Sequence, residues 1–319
     1  MRGIDPTIAL SPLADPVVNA VFANEEVAGL AAESLIGAVM ETDEEAATID
    51  KIISVTPQRS RIDPMYRGCR VDIETVTQSN DRIIFEIQIN PDITIMQRDL
   101  FTASHIFTRA SMIGDSHREM AQRLPVVIFI NILGYNIRED NPDIVQPFKV
   151  MYAKEPLRTA IPNFSGYNVQ LPRLHEMPKD FTSGLYCWCY LLLTAHDKKI
   201  TVKEVLDMTP ELQQYAYSDK GFQQFCTQYQ FVSGNPEVRE EYFLWYKDWL
   251  REQGIIITAE KKGEEKASKE WQPIVAAKDK ELAAKDEMIA TKDEVIATKD
   301  EEIAARDAEI AELRRRLGE

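Results

Sequence analysis

Residues 125–133, PVVIFINIL, constrain the fold of this chain more than any other segment. The run is apolar throughout and lacks the polar/apolar alternation of a half-solvated strand. A strand of this kind is buried on both faces, in the middle of an α/β sheet with helices covering it. Nowhere does the apolar character extend to about 18 residues, so no transmembrane helix and no membrane partner is expected.

Around that strand the chain mixes helical and strand periods. Residues 15–22 read as a helix capped by Asp15, with Pro16 at its first position. Residues 25–40 place Val27, Leu30, Ala31, Leu35, Ile36 and Val39 on one side of a helix. Residues 49–55 are a candidate short strand. Residues 70–76 alternate through Val71, Ile73 and Thr75, and residues 82–89 through Ile83, Phe85, Ile87 and Ile89. Between them TQSND (77–81) is turn chemistry, which predicts a β-hairpin. Residues 95–112 read as a further helix. The fold class is therefore α/β, a mixed sheet flanked by helices over residues 10–175. A mostly helical region follows at 176–260, then a linker and heptad helix at 261–319.

The tail is the most regular part. Leu282, Ile289, Ile296, Ile303, Ile310 and Leu317 recur every seventh residue, and Lys278, Lys285, Lys292, Lys299 and Arg306 keep a phase of their own, each followed by Asp. Good helix formers without Gly or Pro predict a long helix over 274–317. If the Leu/Ile row is heptad position d, Asp286, Asp293, Asp300 and Asp307 occupy position a, a poor seam. Ala283, Ala290, Ala297 and Ala304, with Met288 and Val295, widen the apolar stripe. Two readings stand: a coiled coil that makes a homo-oligomer through residues 273–317, or a solvated single helix. Residues 260–269 read as a charged linker, flexible or helical.

The net charge is −15; the tail from Lys261 onward holds 13 basic and 16 acidic residues, which leaves −12 on the body. So acidic a body opposes nonspecific nucleic-acid binding, which rests on phosphate contacts. A DNA-binding surface has to be a local basic patch, or metal has to screen the charge. Cys69, Cys187, Cys189 and Cys226 lack CxxC spacing and read as reduced, buried thiols of a cytoplasmic protein. The four histidines, at 105, 117, 175 and 196, lack zinc-ligand spacing. The first fifteen residues hold one early Arg and no long apolar core, unlike a secretory signal.

The hairpin carries the candidate chemistry. Centred on Ser79, it pairs residue i with residue 158 − i, so Asp72 lies opposite Glu86 and Glu74 opposite Ile84. Opposed residues hold their Cβ atoms about 4.5–5.5 Å apart, where two carboxylates repel. A hard divalent cation removes that cost and takes both as ligands; Mg²⁺ typically accepts one or two carboxylates and keeps several waters. The alternative is a solvated sheet face neutralised by Arg70 or Arg98. Arg98, Thr102, His105 and Arg109 form one polar stripe on the next helix. It is either a phosphate-facing edge or a solvated face opposite Leu100, Ala103, Phe107 and Ala110. His105 is a candidate general base. Tyr186, Trp188, Tyr190, Phe243, Trp245, Tyr246 and Trp249 suit base stacking or, more simply, a core. Arg314 to Arg316 complement the dipole of a helix end.

These motifs, in order, resemble the recombination-promoting nuclease and putative transposase family, a branch of the PD-(D/E)XK nuclease superfamily. The matching pieces are LSPLADPVVNAVF (10–22), RVDI (70–73), IFEIQ (84–88), QRDLFTASHIF (97–107) and GDSHREMAQRLPVVIFINIL (114–133), with a less specific helical stretch to Gln253. The resemblance implies a PD-(D/E)XK nuclease-like fold and Mg²⁺-dependent cleavage of DNA, with Mn²⁺ as a second candidate ion. Asp72, Glu86 and the backbone carbonyl of Ile87 hold the metal. Gln88 stands where the superfamily usually has Lys, and it can hydrogen-bond a water but supplies no charge. Arg98 is the candidate to contact phosphate and stabilise developing charge. Asp15 is a possible additional acidic residue. Asn19 and Ala20 stand where the family commonly has basic residues. The expected function is a metal-dependent DNA endonuclease linked to recombination, mobile elements or defence. Its alternative is a weakly active or inactive nuclease-fold interaction protein that oligomerises through its tail.

Overall fold

A computed structural model describes residues 8–41, 43, 49–57, 71–110 and 116–317. Arg70, Cys69, residues 111–112 of the expected helix, residues 114–115 and the first seven residues fall outside the described residues, as does the side chain of Leu317.

The apolar run forms β4 (Val127–Leu133), every residue of it buried. It lies between β3 (Arg82–Gln88) and β6 (Glu155–Gln170) and runs parallel to both. β1 (Ile52–Pro57) and β2 (Ile73–Thr77) extend the sheet beyond β3, and β5 (Val145–Tyr152) closes the far side, giving the order β1-β2-β3-β4-β6-β5. The β2–β3 hairpin has the counted register: Ile73 faces Phe85, Glu74 faces Ile84, Thr75 faces Ile83 and Val76 faces Arg82. Its turn is fixed by Asn80 at φ 69°, a left-handed conformation that Asn tolerates, and by Thr77 Oγ1 accepting from Asp81 N at 3.0 Å.

Two departures from the expected pattern shape the site. The strand expected over 70–76 begins only at Ile73; Asp72 sits in a bend before it. Alternation breaks there, and Val71 packs with Ile84, Ala103 and Phe129 on the face opposite to Ile73. The run read as apolar throughout carries Asn131 in its middle, wholly buried.

One face of the sheet, through Ile73, Ile83, Phe85, Ile128, Ile130 and Ile132, meets the main core. Four helices supply much of that core: α1 (Asp15–Phe22), α2 (Glu25–Met40), α5 (Gly184–Lys198) and α8 (Lys220–Ser233). α2 and α8 approach so closely that a Cβ at Gly221 lies 2.1 Å from the Leu30 carbonyl oxygen, so only glycine fits. Trp188 is 1% exposed, edge-on to Phe222 and Phe225. It and Tyr186 are core residues, so the base-stacking reading does not hold for them. The other face is covered by α3 (Ile95–Ala110). Between α3 and β4 runs α4 (His117–Arg123), with a capping box of Ser116 and Glu119. α6 (Val202–Met208) and α7 (Pro210–Ser218) connect α5 to α8.

The chain divides into two compact units, Met1–Lys247 and Asp248–Glu319. The last helix, α9 (Pro236–Leu317), passes through the residues expected as a linker and through Pro273. In the second unit Leu282, Ile289, Ile296, Ile303 and Ile310 are about half exposed. No helix among the described residues is long and apolar enough to cross a membrane.

Candidate metal centre

The bend places Asp72 beyond the last pair of the hairpin ladder. Its Oδ2 accepts the Ile87 N–H at 2.7 Å, which ties the start of β2 to the end of β3. Glu86, on β3, faces α3 and is 7% exposed. Arg98 reaches it from the first turn of α3, Nη2 to Oε2 at 3.3 Å. Through Nη1, Arg98 also donates to Gln88 Oε1 at 3.3 Å and to Asp92 Oδ2 at 3.0 Å. Asp92 is fixed by its own turn, accepting from Thr94 N at 2.8 Å. Gln88 donates onward to the Asn90 carbonyl at 3.1 Å. Thus Asp72, Glu86, Ile87, Gln88 and Arg98 come together at one end of the hairpin.

Burial dominates the electrostatics. It pushes the Asp72 carboxyl from 3.8 up to about 7, with repulsion from Asp15 adding, and the Ile87 N–H and Arg98 opposing. Burial also raises Glu86 well above the usual range, followed by the repulsion of Asp72, with Arg98 opposing. Asp99 rises to about 6 through burial, against its hydrogen bond from Asn131. Arg98 itself is raised: the attraction of Glu86 and Asp92 outweighs its desolvation. Asp15 belongs to this field, although not as the helix cap: Ala14 is the cap, and Asp15 is the first helical residue.

A buried carboxylate, Glu86, and a half-buried one, Asp72, that repel one another fit a hard, oxygen-seeking cation, which relieves the repulsion. Among the described residues no group of three or more His, Cys, Asp or Glu side chains is arranged around a common point. Asp72 and Glu86 are the side chains of this cluster whose oxygen donors suit a divalent cation.

Sequence reasoning missed a buried polar row beside the pair. Glu86, Asn131, Asn168 and Gln146 stand in register across β3, β4, β6 and β5, all under 10% exposed. Asn131 Nδ2 donates to Asn168 Oδ1 at 2.9 Å and to Asp99 Oδ2, on α3, at 2.8 Å. The signal was available: a lone Asn inside an apolar strand is costly unless it has partners.

The rest of the polar stripe goes elsewhere. Thr102, His105 and Arg109 line a cavity toward the hairpin turn. The solvated-face alternative for α3 is met by the exposed Arg98 and Arg109 and the buried Ala103, but not by Thr102, which is buried, or Leu100, which is 53% exposed. Seven residues of helix separate His105 from Arg98, about 10 Å, which takes it away from the carboxylates. Arg315 and Arg316 pair with Glu312 at the end of the exposed tail.

A six-stranded mixed sheet flanked by helices, with acidic side chains gathered at the end of a β-hairpin, is an α/β nuclease-like fold. The chain belongs to the PD-(D/E)XK nuclease family transposases, whose pattern it matches over residues 12–254. That membership indicates a nuclease or mobile-element function, in a superfamily that usually uses divalent metals. No curated protein and no solved structure matches the chain.

Proposed function

We propose that this chain is a metal-dependent DNA endonuclease that hydrolyses phosphodiester bonds in recombination or mobile-element biology. The observation that carries the reading is the convergence of Asp72 and Glu86, both held toward the protonated form by burial and by neighbouring negative charge. Asp72, Glu86 and the Ile87 carbonyl would hold Mg²⁺ or Mn²⁺. A bound cation there would supply a polarised phosphoryl oxygen and a water of lowered pKa. Gln88 would hydrogen-bond an attacking water through its amide, and Arg98 would provide the positive charge that Gln88 lacks, facing charge that develops on the phosphate. The buried free thiols of Cys187, Cys189 and Cys226 support a reducing, cytoplasmic setting.

The test is incubation of the full chain with plasmid DNA in Mg²⁺, Mn²⁺ or EDTA, beside Asp72→Ala and Glu86→Ala. Cleavage in metal and none in EDTA or either variant is the expected result. Cleavage that survives both substitutions sinks the site.

A second reading has its own support. Arg98 is already engaged by Glu86, Gln88 and Asp92, and the Leu282–Ile310 row is exposed. On that reading the chain is an interaction protein with little turnover that forms homo-oligomers through residues 273–317. It requires little or no cleavage across several DNA substrates, and fewer chains per particle by light scattering after truncation at about Gly263.

A further inference from the structure

Next to the carboxylates, on the same face of the hairpin, α3 and β2–β3 enclose a cavity of about 260 Å³ among the described residues. Ile84 lies two residues before Glu86 on β3. The cavity therefore begins one side-chain row, roughly 6.6 Å, from the proposed metal ligands. Its walls are Val71, Ile84 and Ile106, and its polar edge is formed by Glu74 and Arg82.

Size and chemistry narrow the occupant. Ligand sites for drug-sized molecules start near 300 Å³, so this one suits a single small planar group. Arg82 offers little to a bare phosphate, because the Glu74 carboxylate, 3.2 Å away, offsets its charge; Arg109 and His105 also line the cavity. The apolar walls fit a flat ring instead. The edge presents donors beside an acceptor: Arg82 gives one N–H of Nη1 to Glu74 and one of Nη2 to Asn80, and each Nη keeps a second N–H, while its Nε is buried. Arginine donors match the guanine O6, and a carboxylate accepts from ring and exocyclic N–H groups. Unpaired bases are commonly read this way, extruded into a pocket and bonded along one edge.

We propose that this cavity takes one unstacked guanine base of the DNA strand, next to the phosphate held at the carboxylates, with Arg82 and Glu74 bonded to its edge. The proposal deepens the nuclease reading and rests on it for the identity of the strand. It makes the cavity the source of a base preference in a chain whose acidic body offers little nonspecific affinity.

The experiment is fluorescence anisotropy of the full-length protein with labelled 12-nucleotide single strands, in Ca²⁺ as a hard, oxygen-seeking substitute for Mg²⁺. One strand is all thymine, one carries a single central guanine, and one a central adenine. The guanine strand is expected to bind about tenfold tighter than the other two, the discrimination typical of one good bidentate pair. Arg82→Lys keeps the charge and loses the fork, and Ile106→Trp fills the cavity. Both are expected to abolish the preference while binding to the thymine strand persists and thermal melts confirm folding. Equal affinity for all three strands overturns the proposal, as does a preference retained in both variants. Displacement of the guanine strand by guanosine 5′-monophosphate at the strand's own affinity assigns the cavity to free nucleotide and also overturns it. A guanine preference in a protein that cuts no DNA leaves the base site standing and removes only the nuclease reading.

Discussion

The β2–β3 hairpin with α3 and the C-terminal helix draw on the same side chains and use them in opposite ways. On the helix, Lys285 and Glu281 approach to 2.7 Å, yet both are at least half exposed. Water and salt screen such a pair, and it contributes little. At the hairpin, Arg98 and Glu86 stand further apart, at 3.3 Å, but the Glu86 side chain is only 9% exposed. There the guanidinium works against the burial that drives Glu86 toward its neutral form. Access to water, more than distance, separates a surface pair from a site. The tail, where charge recurs most regularly, is the region where charge does least chemistry.

The contrast is broken most directly at the carboxylates. Asp72→Asn and Glu86→Gln keep the shape and delete the charge. Each is expected to reduce Mg²⁺-dependent plasmid cleavage to background and to weaken Mn²⁺ binding by calorimetry. Arg98→Gln is expected to slow cleavage about 10²–10³-fold, the usual scale for one preorganised group facing developing charge. Its binding of Mn²⁺ should stay or tighten, because a competing cation is gone. A rate within threefold of the parent removes Arg98 from the chemistry.

Asn131 tests the reach of the buried region beyond the carboxylates. Asn131→Leu leaves the Asp99 carboxyl, 1% exposed, without its amide donor. Loss of a partner at a buried polar group costs about 1–3 kcal/mol, which a urea titration measures. Metal affinity or cleavage is expected to fall with it, since Asn131 stands in register with Glu86 on the adjacent strand. Unchanged stability and cleavage would make the polar row a bystander.

How far these features could be read without the structure differs by element. TQSND fixes the turn, and alternation from Ile73 and up to Phe85 fixes the register, so the ladder from Val76–Arg82 to Ile73–Phe85 follows from counting, while the expected Asp72–Glu86 step lies beyond its last pair. The bounds of α2 follow from its apolar stripe, and β4 from an apolar run in which Asn131 is the one polar residue. The bend at Asp72 could not be counted, because it arises where β2 leaves the ladder to reach the Ile87 N–H. Asp15 looked like a cap because Asp before Pro usually is one, but Ala14 holds that position. β5 and β6 left no clear period: they pair through three register shifts, and Pro147 is tolerated because β5 is an edge strand. Asn131, Asn168 and Glu86 converge only when three strands are placed side by side, which no local pattern encodes.

The raised carboxyls also predict how stability depends on pH. A carboxyl whose pKa is higher in the folded chain than in the unfolded one holds its proton more readily when folded. The folded state is then favoured at low pH, and stability is lost as pH rises from the ordinary value of 3.8 through about 7 for Asp72 and about 6 for Asp99. Melts of metal-free protein are expected to show a lower Tm at pH 8 than at pH 5.5. Millimolar Mg²⁺ should recover the difference at pH 8 and do little at pH 5.5, where protons hold the ligands. A Tm that rises from pH 5.5 to 8 without metal contradicts the buried pair.

The smallest effect is expected on the tail, and it sharpens the comparison. Glu281→Ala removes the partner of both Lys278 and Lys285 from a fully solvated stretch. Alanine is the better helix former, so the lost pairs and the gained propensity nearly cancel. Helicity at 222 nm and its thermal melt should stay within error of the parent, in low and in high salt. The same substitution in a tail dried by a partner helix would lower the melt, and more so in low salt. A measurable loss would therefore mean that Leu282, Ile289 and Ile296 are covered by a second chain, and that the tail too takes its energetics from excluded water.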